Sequence, residues 1–325
     1  MAVADTAVVA EELSGFAPQV RWQSLRLLLR KKIAAIAIFY LVIFYSAGIF
    51  APVIPGLDPY KQEFTVEARN ESPSADHWFG TDEFGRDLFS RVIFATRTTI
   101  IYTVAVIVTG GLFLGIGLGL LAGYRGGWVD TLIMRVGEVM GGLPTLIIIL
   151  AITAAFRTRI DDLTFWLKDH TLLGNDAKIV VKFLIITAAT VPFAWIGTSR
   201  IVRSQALALR EQDFITAAEM MGASTWRIVT RHILPGVMPL VVVGLSAGMA
   251  GIAGTEVALS FLGLGIDPPT PSFGNLIADG AGVRTFNQHP HLLLATSIPV
   301  ILFAFAWNLL GDALVDILEP RTRNR

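Results

Sequence analysis

Six stretches of the chain contain no Asp, Glu, Lys, Arg or His and are built almost wholly from apolar and small residues. They occupy 33–57, 98–124, 139–156, 183–199, 233–255 and 292–311. A helix needs about 20 apolar residues to cross the hydrocarbon core of a bilayer, and each run meets or approaches that length. The pattern therefore predicts an all-α membrane protein with six transmembrane helices.

Basic residues before the first run predict the orientation. The cluster consists of Arg21, Arg26, Arg30, Lys31 and Lys32. By the positive-inside rule, such a cluster keeps the N-terminus in the cytoplasm, and six crossings return the C-terminus to the same side. The first run is longer than the apolar segment of a signal peptide and starts later, so we expect it to remain as a transmembrane helix.

This topology predicts the domain organisation. Its parts are a cytoplasmic tail at 1–32, a first transmembrane helix at 33–57, an outer loop at 58–97, a core at 98–316 with helices 2–6 and a cytoplasmic loop at 200–235, and a cytoplasmic tail at 317–325. In the outer loop, Asp87 can cap a short interfacial helix that leaves Arg91 opposite its apolar face. The alternative is a surface for an external partner or substrate.

Composition and charge exclude several classes of protein. Hydrophobic residues make up 53% and charged residues 16%, whereas roughly a quarter of an ordinary soluble domain is charged. Basic and acidic residues both number 26, so no net field attracts nucleic acid. Cysteine is absent, and no segment has the GxxxxGK[ST] pattern of a P-loop. We expect no nucleic-acid partner and no ATP bound by this chain.

Four glycines in the second run share one helix face. They are Gly111, Gly115, Gly119 and Gly123. Small residues at intervals of four let two membrane helices approach closely. This spacing predicts a helix-packing face.

The predicted cytoplasmic loop at 200–235 contains a helix too short to span a membrane. Asp213 is a good N-cap, and Gly222 supplies a left-handed residue that ends the helix. A second cap follows at Ser224 or Thr225. An apolar stripe runs along the short helix through Phe214, Ala217, Ala218 and Met221. The stripe fits a docking helix for a partner. The alternative is an amphipathic helix on the lipid surface, where nearby arginines meet lipid phosphates.

Other polar groups give weaker predictions. Glu256 and Asp312 end apolar runs, and ionisable groups at membrane depth are candidates for a transport path. His289 and His291 have no nearby carboxylate or thiol to complete a site, so we predict no metal centre. Ser246 lies in a GxSxG pattern, but within an apolar run, which disfavours a serine hydrolase. An ion-driven secondary transporter is a further alternative, although no ionisable group lies inside the runs and no repeat is evident.

Several motifs resemble one family. The segment Thr216-Ala217-Ala218-Glu219-Met220-Met221-Gly222, followed by Arg231-His232-Ile233-Leu234-Pro235, is similar to the cytoplasmic EAA loop of ABC importer permeases, with Thr216 in place of the first Glu. Further motifs in the same order lie at 80–87, 126–130 with 134–135, 259–265, 268–271 and 308–312. They resemble the C-type permease subunit of the dipeptide and oligopeptide branch, to which nickel permeases are closely related.

The resemblance implies the MetI-like permease fold, in a multi-pass protein of a bacterial or archaeal cytoplasmic membrane. It implies a non-catalytic subunit that pairs with a homologous second permease, two ABC ATPase subunits that bind ATP and Mg, and an external substrate-binding protein. The ATPase-coupling helix would use Asp213, Phe214, Ala217, Ala218, Glu219, Met221 and Gly222. Candidates for the translocation path are Glu256, Asn308 and Asp312. The implied cargo is a peptide, with nickel as the alternative.

Overall fold

The computed structural model describes residues 28–65, 67–170 and 177–318, and this part of the chain is helical without a β-sheet. In chain order the helices are α1 Lys32–Phe50, α2 Leu88–Arg125, α3 Gly127–Gly141, α4 Thr145–Ala155, α5 Arg157–His170, α6 Ala177–Arg210, α7 Asp213–Met220, α8 Thr225–Phe261, α9 Phe273–Gly280, α10 Val283–Gln288 and α11 Pro290–Leu318. The predicted tails at 1–32 and 317–325 lie mostly outside the described residues.

Five of these helices are long and apolar enough to cross a membrane, and α3 with α4 makes a sixth candidate if the pair is one broken span. The five are α1, α2, α6, α8 and α11. Many large apolar side chains on them are exposed, such as Phe39, Phe113 and Phe305. Such side chains suit contact with lipid. The prediction of an all-α membrane protein is confirmed.

The apolar run at 139–156 does not form the single straight helix that its length predicts. α3 ends at Gly141, α4 starts at Thr145, and the two axes differ by 84°. Gly142 and Pro144 lie at the break. Proline lacks an amide proton and disfavours helical geometry in the residue before it, so Leu143 cannot easily continue α3.

The second helix begins earlier than its apolar run. The carboxylate of Asp87 accepts a 2.7 Å hydrogen bond from the amide of Ser90, which confirms the predicted cap. The prediction of a separate interfacial helix is wrong, because α2 continues without interruption from Leu88 to Arg125. Arg91 was expected on a polar face, but it is buried. The first helix is shorter than its run, since α1 ends at Phe50 and one 3₁₀ turn with Pro52 follows.

The helical bundle has two ends, which we call the loop end and the α7 end. The loop end carries residues 51–65 and 67–87 together with α9, and the stacked rings of Phe44 and Phe273 mark its apolar core. The α7 end carries the last turns of α2 and α6, all of α7 and the start of α8. Its core contains Val202, Ile215 and Ile228, from α6, α7 and α8 respectively. The short helix α7 is therefore anchored in the same apolar cluster as two spans.

Candidate coupling site

A tight turn joins α7 to α8. Gly222 has φ of +79°, its amide donates to the carbonyl of Glu219 at 2.9 Å, and the amide of Ala223 donates to the carbonyl of Ala218 at 3.0 Å. This pair of bonds is a Schellman motif, which requires a left-handed residue at the glycine position. The hydroxyl of Ser224 then caps α8 by accepting from the amide of Arg227. The short-helix and glycine-turn pattern thus forms as predicted, with Ser224 as the cap.

The N-terminal cap of α7 differs from the prediction. Gln212 occupies the cap position, and no side chain caps the helix there. Asp213 is the first helical residue, where its negative charge still faces the positive end of the helix dipole.

Burial divides the predicted stripe on α7 into two faces. Ile215 and Ala218 face inward, and Ile215 is only 1% exposed. Phe214 and Ala217 are exposed, and Met221 is 81% exposed. The expectation that Ala218 belongs to the outward stripe is therefore wrong, because the inward face of α7 is centred between Ile215 and Ala218. Met220 is also exposed, although the prediction did not include it. The only sequence feature that pointed to this residue was its position between two predicted site residues, Glu219 and Met221.

Polar side chains connect α7 and α6 to the end of α2. The hydroxyl of Tyr124 donates to Oε1 of Glu219 at 3.2 Å, and Nη1 of Arg210 donates to the carbonyl of Tyr124 at 2.8 Å. The guanidinium group of Arg203 on α6 donates two parallel hydrogen bonds to the carboxylate of Asp130 on α3, and the bond from Nη2 to Oδ2 is 2.6 Å long. A fork of this kind fixes orientation as well as distance. Sequence reasoning did not assign Tyr124, Asp130 or Arg203 to the site, although Asp130 lies in the motif at 126–130.

The four glycines predicted to pack do lie against neighbouring helices. A Cβ on Gly115, Gly119 or Gly123 would come within 2.6–2.7 Å of a side-chain carbon on α6. Those carbons belong to Thr198, Val202 and Ala206. A Cβ on Gly111 would meet Leu245 of α8 at 2.7 Å. The glycine face therefore sets the close approach of α2 to α6 and ends next to Tyr124 and the candidate coupling site.

The three candidates for a translocation path do not come together. Glu256 is buried near the loop end, where it accepts hydrogen bonds from the hydroxyls of Thr99 at 3.2 Å and Ser260 at 3.0 Å. It was expected at a helix end, within reach of water, but α8 continues past it to Phe261. Asn308 and Asp312 are exposed on one face of α11, toward the opposite end.

The geometry around Ser246 does not fit a hydrolase. Ser246 lies inside α8, is 4% exposed, and donates its hydroxyl proton to the carbonyl of Val242 at 2.8 Å. A nucleophile elbow instead places its serine on a sharp turn between a strand and a helix. The GxSxG pattern here is a segment of a packed helix.

A buried charge cluster organises the loop end. Asp82 accepts from Nε of Arg86 at 2.7 Å and also from the guanidinium of Arg91, and all three side chains are almost completely buried. Asp279 lies close by, and its burial raises the pKa of the carboxyl group although Arg91 opposes that shift. The Gly80–Asp87 motif is thus a folded support for the start of α2.

A second ion pair connects α6 to the segment after α8. Lys182 contacts both the carboxylate of Asp267 and the carbonyl of Gly265, and Nζ of Lys178 lies 3.2 Å from Oδ2 of Asp267. Burial raises the pKa of Asp267, but the bonds and charges of the two lysines outweigh burial and hold this pKa below its usual range.

Comparison with known proteins identifies similar chains. The family model described as "Binding-protein-dependent transport system inner membrane component" matches residues 115–324. The dipeptide transport system permease protein DppC of Alkalihalophilus pseudofirmus is 32% identical over 93% of this chain and 90% of its own length. The glutathione transport system permease protein GsiD of Pectobacterium atrosepticum is 33% identical over 92% and 90%. The oligopeptide transport system permease protein OppC of Bacillus subtilis is 31% identical over 93% and 90%.

Proposed function

Because the chain belongs to the family of binding-protein-dependent transport system inner membrane components and is a non-catalytic permease subunit of an ABC peptide importer, we propose that α7 is its ATPase-coupling helix. In this proposal, α7 docks on an ABC ATPase subunit and transmits the motion of that subunit to α8. The proposal includes Asp213, Phe214, Ala217, Ala218, Glu219, Met221 and Gly222.

The observation that carries the proposal is the two-sided burial of α7. Its inner side, through Ile215, is part of the core shared by α6 and α8, while Phe214 and Met221 stand exposed on its outer side. Ala217 lies between them, and its small side chain leaves room for a groove to close around the helix. A force applied to the outer side would therefore be transmitted to two membrane spans, because the inner side of α7 packs directly against them.

The turn at Gly222 supports the same role. Two backbone hydrogen bonds fix the geometry between α7 and α8, so that movement of α7 turns the start of α8 as well. Alternating access then follows if ATP binding by the partner subunits favours one of two arrangements of the spans. ATP and Mg would be bound on those ATPase subunits.

We propose the following assembly and orientation. The α7 end faces the cytoplasm, where two ATPase subunits dock, and the loop end faces an external substrate-binding protein. A homologous second permease completes the pathway. Lys and Arg are more numerous on the predicted inner side than on the predicted outer side, which supports this orientation. Within this arrangement Ala218 packs in the core and does not itself contact an ATPase subunit. Glu256 stabilises the contact between α2 and α8 and does not bind cargo.

Capture of the ATPase subunits tests the coupling helix. Ala217→Arg places a charged, bulky side chain in the middle of the exposed face, and we expect the assembled membrane protein to lose copurification of its ATPase subunits. Ala217→Ser, which adds little volume at the same position, is the matched control and should retain them. Full capture by Ala217→Arg, at equal abundance in the membrane, would contradict the docking role.

The chemical class of the cargo is tested by competition. The relatives named above carry names for dipeptide, glutathione and oligopeptide transport, so we propose short peptides as cargo. Uptake of a labelled dipeptide should fall in the presence of unlabelled peptides of two to five residues. Competition by free nickel, without competition by peptides, would instead favour the nickel alternative.

A further inference from the structure

A cavity of about 780 Å³ opens at the α7 end of the bundle, between the end of α2, the end of α6, α7 and the start of α8. Its lining residues are of two kinds. Leu120, Leu121 and Val229 are apolar residues within candidate membrane spans and form what we call the apolar wall, whereas Arg125 and Arg210 are the last residues of two candidate spans and define what we call the mouth. The cavity is thus lined both by apolar residues of the spans and by basic residues at span ends.

The charges at the mouth favour an anion. Arg210 uses Nη1 for the carbonyl of Tyr124, and in the described part of the chain neither Arg210 nor Arg125 forms an ion pair. The one carboxylate in the lining, Glu219, already accepts from Tyr124. The lining therefore contains two guanidinium groups and one carboxylate, and the guanidinium groups retain donors for a further anionic partner.

An aromatic side chain at the same mouth supports contact with lipid. Trp226 lines the cavity and is 77% exposed. Tryptophan is enriched at membrane interfaces because its ring is apolar while its indole N–H donates a hydrogen bond. Free inorganic phosphate would use only the arginines and would leave the apolar wall and Trp226 without a partner.

We propose that this cavity binds one anionic phospholipid, with its phosphate between Arg125 and Arg210 and an acyl chain along Leu120, Leu121 and Val229. The lipid would bridge α2 and α6 directly beside Glu219. Its binding does not depend on which cargo is transported or on the docking role of α7, so the two proposals can fail separately.

Lipid retention by the assembled importer tests the site. The full complex is placed in nanodiscs of phosphatidylglycerol and phosphatidylcholine, and the retained lipids are counted by native mass spectrometry. We expect selective retention of phosphatidylglycerol. Since a basic residue near a membrane surface contributes roughly 1 kcal/mol toward an anionic lipid, Arg125→Gln and Arg210→Gln should each lower that preference about fivefold.

Arg227→Gln is the matched control. It removes one positive charge from the same end of the bundle, but Arg227 does not line the cavity, so phosphatidylglycerol retention should stay unchanged. Arg125→Gln is the decisive variant if Arg210→Gln disturbs folding, because Arg210 also holds the carbonyl of Tyr124. Monodisperse elution and an unchanged thermal midpoint verify that each variant is folded.

Three kinds of result would overturn the proposal. The first is equal retention of the two lipids by the wild type or an unchanged preference in Arg125→Gln. The second is displacement of the lipid by millimolar inorganic phosphate, which would indicate a site for the free anion. The third is retention by the isolated chain alone and its loss in the complex, which would indicate that a partner subunit occupies the cavity.

Discussion

The hydroxyl of Tyr124, at the end of α2, donates a 3.2 Å hydrogen bond to the carboxylate of Glu219 on α7, although the two residues are 95 positions apart in the chain. Arg210, at the end of α6, holds the backbone carbonyl of the same tyrosine. Tyr124 therefore contacts α7 and the helix that leads into it. A displacement of α7 must either move the end of α2 or break these bonds.

Removing the tyrosine hydroxyl should weaken coupling without unfolding the protein. Tyr124→Phe loses one hydrogen bond, of a kind that contributes about 0.5–1.5 kcal/mol, so we expect transport per ATP hydrolysed to fall about threefold. The measurement is the ratio of peptide uptake to ATP hydrolysis in proteoliposomes. Tyr60→Phe at the loop end is the control, and an equal effect of both variants would contradict a specific role for Tyr124.

The turn after α7 should tolerate only residues that adopt positive φ. Gly222→Val places a β-branched residue at φ of +79°, which is strained by about 1–3 kcal/mol. We expect the variant to reach the membrane but to hydrolyse ATP without importing peptide. Gly222→Asn should restore much of the uptake, since asparagine enters the left-handed region more readily. Normal uptake by Gly222→Val at normal abundance would contradict the coupling role of this turn.

The glycine face of α2 gives a prediction about stability. In Gly119→Ala the added Cβ would lie 2.6 Å from Cβ of Val202 and 2.8 Å from the carbonyl oxygen of Ser199, so α2 and α6 must move apart. Overpacking of this kind costs about 1–3 kcal/mol, and the thermal midpoint in detergent should fall. Gly117→Ala, on the same helix, meets nothing within 4 Å and should leave the midpoint unchanged or raise it slightly.

Substitutions in the buried charge cluster at the loop end should destabilise the protein more than substitutions of exposed residues beside it. Asp82→Ala leaves Arg86 and Arg91 buried without their carboxylate, and removal of one member of a buried ion pair costs about 3–5 kcal/mol. We expect strongly reduced accumulation in the membrane and a lower thermal midpoint. Glu83→Ala, which removes the neighbouring exposed carboxylate, should behave like the wild type. Similar losses in both variants would show that the loop tolerates no change, rather than that the buried cluster matters.

The ionisation of Asp267 should make the stability of the folded protein depend on pH. Its carboxyl group has a lowered pKa in the folded protein, so it contributes stability above the unfolded value of about 3.9 and loses that contribution as pH falls through the folded value. The difference in thermal midpoint between wild type and Asp267→Asn should be largest near neutral pH and should shrink below about pH 4. Asp76→Asn, at an exposed carboxylate, should show no such trend.

Local rules were sufficient for much of this molecule. Five of the six apolar runs locate long spans, because a bilayer accepts few other segments, whereas the run at 139–156 is divided between α3 and α4. The cap at Asp87 and the turn at Gly222 depend only on residues within a few positions. The motifs around α7 also led to the right family. In the cap and in the turn, the interacting groups are neighbours in the chain, so the local sequence is sufficient to predict their geometry.

Contacts between distant segments were decided by the tertiary structure. Whether α7 turns Ala218 or Ala217 inward depends on the core of α6 and α8, and Glu256 is buried because Thr99 of another helix lies beside it. The fork between Arg203 and Asp130 joins residues 73 positions apart. Nothing local distinguishes such a charge from a solvated one, because only the packing of helices determines which partner it meets and how much water remains.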